Sequence, residues 1–294
     1  MRLIKRSIFF TLVFIILFTG CVEEKGITST ETPTPTTTPE QSASTPTPTL
    51  KPTHEVFNEE GLAFYELNKY DKAIESFDKA LEIDPEFVEA WNNKGLTLFI
   101  LNEFENASAC FDRALEINQD YADAWNNKGN TLNKLAHYKV GVYSTSTIWT
   151  NKQYNEAITY FDKALEINPD HADAWNNKGI ALFMLKNNSG AIECLDKSIE
   201  LNPNNPDAWN NKGLALYRMD ESKNAIECFD KSIELNPNNP DAWSHKGFAL
   251  ISLSDYDGSE QFFQQALNID PNHQEAKHGI SIVMTQKKID SRYV

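Results

Sequence analysis

The chain is poor in cysteine. Four residues in 294 are too few for the disulfide framework that staples small secreted domains. It is also short of positive charge: 27 Lys and Arg stand against 42 Asp and Glu, a net charge of −15. That excludes nucleic acid as the main partner, because phosphate binding needs a basic footprint. Long apolar runs are scarce. The stretch Ile8 to Phe18, broken at Thr11, falls short of the about 20 apolar residues a membrane-spanning helix needs. None of the 12 glycines sits in a phosphate-cradling loop, so nucleotide binding has no support. The histidines His54, His137, His171, His245, His273 and His278 are scattered. His273 and His278 lie close in sequence but lack further ligands at metal-site spacing, so neither a metal nor any other cofactor is expected. What is present is 40% apolar residues with 11% aromatics, enough for a packed core.

The N-terminus has the layout of a secretory signal over residues 1–20. Arg2, Lys5 and Arg6 are the only charges before Glu23, an apolar run follows, and small residues close it. Phe18-Thr19-Gly20-Cys21 resembles the lipobox of exported lipoproteins, departing at Phe18 where leucine is preferred. The resemblance implies cleavage before Cys21 and lipidation of its thiol. An ordinary signal or a short uncleaved anchor is the other reading. Either places the body on the extracytoplasmic face of a membrane, since the positive flank stays inside. Residues 21–53 form a linker: between 27 and 53 there are eleven Thr, three Ser and six Pro, too few apolar groups to offset the entropy of ordering. Thr-Pro alternation favours extended, semi-stiff chain.

From residue 54 one unit recurs. Ala-Trp-Asn-Asn-Lys-Gly begins at Ala90, Ala124, Ala174 and Ala208, with Ala242-Trp243-Ser244-His245-Lys246-Gly247 as a variant. The period is 34 residues except for one interval lengthened by 16, the mark of a repeat array. Each unit reads as two helices. Trp91, Gly95, Leu98 and Leu101 share one stripe, and Ala107, Phe111 and Ala114 a second. Pro203, Pro237 and Pro271 end the second helices. With position 1 at His54, Val88, Ala122, Ala172, Pro206 and Pro240, the chain resembles the tetratricopeptide repeat (TPR) family. Position 4 is Phe57 and then tryptophan five times, position 8 is glycine throughout, and positions 20, 24 and 27 carry the small, aromatic and small residues of the family, with Leu195 in place of the aromatic in the fourth repeat.

The resemblance implies an all-α, right-handed solenoid of six helix-turn-helix repeats: 54–87, 88–121, 122–171, 172–205, 206–239 and 240–273. Residues 274–294 supply a closing helix and tail, with Ala276, Ile280, Val283 and Lys287 on one face. Position 4 is expected in the core. Cys110, Cys194 and Cys228 recur at position 23 of second helices, and no basic neighbour supports a reactive thiol.

The family's concave face is lined by positions 2, 5, 6, 9, 12 and 13 of the first helices. Position 6 gives Asn93, Asn127, Asn177 and Asn211, whose amides can both donate to and accept from an extended peptide backbone. Position 9 adds Leu96, Asn130, Ile180 and Leu214, and position 12 adds Phe183 and Tyr217. Position 2 is acidic in every repeat, from Glu55 to Asp241. The lysine or arginine clamp that some members close on a peptide carboxylate is therefore absent, and a neutral to basic ligand is favoured. The 16 extra residues near 137–152 are rich in β-branched and aromatic side chains. They are expected to leave the array as a loop or small hairpin presenting Tyr138, Tyr143 and Trp149.

These features predict a membrane-anchored scaffold that binds another protein or peptide in extended form and supports assembly of a complex. The alternative is a surface glycan- or solute-binding subunit using the aromatic insertion. An enzyme is not expected, because TPR-bearing enzymes carry a separate catalytic domain and 21 residues follow position 273.

Overall fold

The computed structural model describes residues 53–143 and 147–290; the side chains of residues 137–149 lie outside the description. The described residues form thirteen helices and no strand. The helix pairs are α1 (Thr53–Glu66) with α2 (Tyr70–Ile83), α3 (Val88–Ile100) with α4 (Phe104–Ile117), and α5 (Ala122–Tyr143) with α6 (Thr147–Ile167). They continue as α7 (Ala172–Met184) with α8 (Asn188–Leu201), α9 (Pro206–Tyr217) with α10 (Ser222–Leu235), and α11 (Pro240–Ser252) with α12 (Tyr256–Ile269). A last helix, α13 (Gln274–Asp290), closes the array. Every helix packs on its successor. First helices also touch the first helix of the next repeat, whereas second helices do not touch one another. The first helices therefore crowd the inner, concave side and the second helices spread over the convex side.

In every repeat but the third, the turn between paired helices is set by position 15. Asn68, Asn102, Lys186, Asp220 and Ser254 have φ between 57° and 65°, the left-handed conformation that stops a helix. At Asn102 the stop is a Schellman pair: its N–H donates to Phe99 O and the Glu103 N–H to Leu98 O. Second helices then start on side-chain caps where the sequence offers one, as where Asn187 and Asp255 accept from Gly190 and Gly258 N–H.

Within a repeat, the ring at position 24 lies directly on the backbone of the glycine at position 8. A Cβ added to Gly95 would stand 2.6 Å from Phe111 Cε1, so nothing larger than glycine fits there. Phe77, Phe111, Phe161, Phe229 and Phe263 are fully buried, with Leu195 replacing the ring in repeat four.

Three contacts recur between repeats. The position-4 tryptophan is half-buried rather than core: its Nε1–H donates to the position-32 carbonyl of the preceding repeat, as Trp175 does to Pro169 O at 2.9 Å. The indole combines a large packing area with an N–H donor at its edge. The position-7 lysine pairs with the position-25 aspartate one repeat back at all five junctions, at 2.5–2.6 Å. The third contact joins the asparagines of positions 5 and 6.

The insertion, expected as a loop or small hairpin leaving the array, is instead part of the two helices of the repeat. It lengthens the paired helices: α5 has 22 residues and α6 21, against 13 and 14 in α3 and α4. Position 15 of this repeat is Ala136, which continues the helix and supplies no left-handed stop. Extending an existing helix needs no new nucleus, and the propensity penalty of each β-branched residue is below about 0.7 kcal/mol. The pair projects roughly 10–13 Å beyond its neighbours at 1.5 Å per residue.

Helix α13 caps the array as expected. Ala276 and Val283 are buried with Phe263 and Ala266, and Ile280 packs against them. Lys287 does not simply face water: its Nζ lies 2.6 Å from both Asp257 and Glu260. No helix among the described residues is long and apolar enough to cross a membrane.

Candidate functional site

The concave wall is built on an asparagine ladder. Asn93 Nδ2 donates to Asn58 Oδ1, Asn127 to Asn92, Asn177 to Asn126 and Asn211 to Asn176, at 2.9–3.1 Å. Each position-6 amide thus holds the position-5 amide of the preceding repeat. Asn58, Asn92, Asn126, Asn176 and Asn210 are buried, so position 5 belongs to the junctions. Position 6 is half-buried and has given one of its two amide protons to the ladder, leaving one proton and a partly used oxygen facing the groove. The asparagine pattern is legible in sequence, but the division of labour between positions 5 and 6 is not.

Leu96, Asn130 and Ile180 are half-buried on the same helices. At position 12 of repeat three, Asn133 replaces the aromatic. It is buried and its Nδ2 donates to Asn177 O at 3.3 Å.

Towards the C-terminus the groove deepens into a cavity of about 760 Å³. Phe183, Leu214 and Tyr217, expected from the sequence, meet there with Met184, Phe248, Arg218 and His245. Helix α13 closes the end with Gln274, Glu275 and His278. Arg218 lies flat on the aromatic wall, its Cζ 3.7 Å from the Phe183 ring centroid and its Nη1–H donating to Phe183 O. The contribution of α13 is invisible to a repeat-by-repeat reading, because those residues lie outside the repeated unit.

Two carboxylates of the acidic row at position 2 are hydrogen-bonded by histidines. His171 Nε2 lies 3.1 Å from Asp123 Oδ1 and His273 Nε2 2.8 Å from Asp241 Oδ1. The His171 hydrogen bond holds the Asp123 carboxyl below the ordinary aspartate range, against the opposing effect of burial. The His245 hydrogen bond does the same for Glu275. Burial, followed by the charges of Asp123 and Glu89, pushes the Tyr121 hydroxyl up to about 12. Glu89, Asp173 and Asp207 are exposed along the row, leaving the rim negative. Cys110, Cys194 and Cys228 are free and buried. Burial pushes the Cys110 and Cys228 thiols up to about 11, which keeps both protonated and unreactive near neutrality. The side chains of Tyr138, Tyr143 and Trp149, and Cys21 with the whole N-terminal segment, lie outside the described residues.

Tetratricopeptide repeat profiles match residues 61–101, 88–121, 110–159, 149–214, 206–239 and 228–261, a continuous span from 61 to 261. With the fold above, these matches place the chain in the tetratricopeptide repeat family. No curated protein matches it. Among solved structures, the APC/C hetero-tetramer Cut9–Hcn1 aligns with a TM-score of 0.69 at 17% identity over 79% of this chain. The match takes in 42% of that chain, so this protein spans less than half of that relative's length. PilF of Pseudomonas aeruginosa aligns with a TM-score of 0.63 at 21% identity, over 77% of this chain and 96% of its own. PilW, described as a widely conserved type IV pilus biogenesis factor, aligns with a TM-score of 0.63 at 21% identity, over 76% and 97%. At these identities the likeness is one of fold.

Proposed function

We propose that this TPR protein is a membrane-anchored, extracytoplasmic scaffold. It holds an extended, neutral to basic segment of another polypeptide in its concave groove and supports assembly of a complex. The observation that carries the reading is the cavity of about 760 Å³ at the C-terminal end of the groove, with aromatic walls at Phe183, Tyr217 and Phe248. Concave, largely apolar sites with a few polar groups are where binding energy concentrates. The ladder amides offer one donor per repeat to an extended backbone, and the position-2 carboxylates favour positive charge. The N-terminal sequence supports the anchor: a signal-like run, Cys21 in a lipobox-like setting, and a Thr/Pro-rich spacer that would hold the repeats off the bilayer. The resemblance to PilW extends to the fold, and the reading rests on the groove itself.

The test uses the full-length chain as bait on detergent-solubilised membranes, with mass spectrometry of what it retains. A calorimetric titration of the captured partner against wild type and Tyr217→Ala/Phe248→Ala follows. Weakening of at least tenfold supports the groove, since buried interface aromatics dominate binding energy. Unchanged affinity moves the site to the long α5–α6 hairpin, where a glycan or solute becomes the candidate ligand.

A further inference from the structure

Arg218 is a groove cation that no carboxylate neutralises. It is the capping residue at the end of α9, and its side chain crosses the junction to the preceding repeat. The guanidinium carbon lies 3.7 Å from the Phe183 ring centroid, and Nη1–H donates to Phe183 O at 3.1 Å. That bond caps the end of α7 and uses one of five guanidinium N–H groups. Asp220 and Glu221 follow in the same turn, and Glu275 lines the same cavity. Glu221 instead accepts from Asn224 Nδ2, and Glu275 faces His245. Among the described residues no carboxylate is ion-paired with Arg218. The position-7 lysines of the first helices, by contrast, are all paired with aspartates.

The groove is polar across its width. First helices all run the same way, because each helix pair returns the chain to the side from which it started. Position 2, in their first turns, therefore lines one lip, and their C-terminal ends line the other. Glu275, in the first turn of α13, continues the acidic lip. Arg218 stands on the opposite lip at position 13, about 16 Å from position 2 along a helix rising 1.5 Å per residue. Between the lips lies the aromatic cavity of Phe183, Tyr217 and Phe248.

We infer that Arg218 binds the carboxylate of an aspartate or glutamate side chain on the segment held in the groove, while a bulky apolar side chain beside that residue fills the cavity. The inference rests on the groove reading above and refines it. The segment is neutral to basic where it follows the acidic lip and carries one acidic residue at Arg218. A guanidinium offers a planar fork of donors that matches a carboxylate. Stacking on Phe183 and the bond to its carbonyl hold that fork in place beforehand, so less side-chain freedom is lost on binding. The neighbouring apolar side chain displaces water from the cavity, which strengthens the charge pair beside it. The ladder amides read a peptide backbone whatever its side chains. Arg218 and the cavity add side-chain selectivity and fix where along the groove the segment sits.

The test pans a phage-displayed random peptide library over the full-length protein in detergent, as wild type and as Arg218→Gln. Wild type should enrich peptides with an acidic residue beside a large apolar one. Arg218→Gln should keep the apolar preference and lose the acidic one. A synthetic peptide of the enriched sequence should bind wild type roughly tenfold more tightly than its copy with the acid replaced by the matching amide, as hydrogen bonds to charged groups do. Arg218→Gln should not distinguish the two peptides. The acid-to-amide comparison on wild type needs no variant, so it decides the matter even if Arg218→Gln fails to fold, which circular dichroism reports. A library that enriches nothing, or peptides indifferent to Tyr217→Ala/Phe248→Ala, would sink the groove reading and this inference with it. Peptides that need the aromatic pair but show no preference for the acid over its amide would overturn the Arg218 site alone. So would an acid preference of equal size in Arg218→Gln.

Discussion

Asn177 Nδ2 donates to Asn126 Oδ1 across 3.0 Å, although 51 residues separate the two. At the other asparagine junctions the separation is 35. The insertion therefore passes outward along α5 and α6 without opening the junction it interrupts. The pairing of Lys178 with Asp162 at the same junction is likewise intact, at 2.6 Å.

Removing residues 137–152 should give a folded protein with an ordinary third repeat, because it returns the spacing to 34 residues. The new turn would then need a left-handed residue at position 15, where Ala136 stands. Alanine costs about 1 kcal/mol more there than a residue that tolerates the conformation. The deletion carrying Ala136→Asn is expected to unfold at higher urea than the deletion alone. Equal midpoints would show that the shortened repeat does not rebuild the common turn.

Asn127→Ala should destabilise the array by about 1–3 kcal/mol, because it leaves the buried Asn92 oxygen without its donor. Half-exposed asparagines on a groove wall would otherwise be expected to cost less than about 0.5 kcal/mol each. Urea denaturation distinguishes the two. A loss within the smaller figure would mean that the ladder follows the stacking of the repeats without contributing to it.

The Asp123–His171 pair should make stability fall in acid. The folded carboxyl titrates below its unfolded value, so its contribution is present above about pH 4. It is lost as the pH drops through the lowered value. Solvent screening at an exposed aspartate keeps the effect small. His171→Ala should flatten that acid limb, and also lower stability at neutral pH, because His171 Nδ1 accepts the Ala174 N–H at the start of α7. Thermal melts of both proteins between pH 3 and 7 supply the comparison; parallel curves would remove the pair from the acid response.

Cys21→Ser should either release the protein from membranes or leave a precursor of higher mass. Fractionation and mass measurement of both forms check this. Equal retention at the mass of an uncleaved chain would point to an N-terminal anchor instead of a lipid.

The array itself was legible in the sequence because its determinants are local and repeated. Gly95 under Phe111, the small residues of positions 20 and 27, and the period of 34 are enforced within one helix pair. Each copy states them again, so the buried places of Ala107 and Phe111 are legible from the sequence alone. What only the tertiary structure decided depends on how repeats stack. The equivalent-looking neighbours Asn92 and Asn93 differ because one side chain points into the junction and the other onto the groove. Trp175 is a junction donor as well as an apolar surface because a carbonyl from the preceding repeat arrives at its edge. The insertion's β-branched composition argued for a loop, and two helix ends already formed overrode it. Asp241, His273 and Glu275 come from two helices and a turn, with no sequence spacing that announces them. Helix α13 is what folds back to bring the three together.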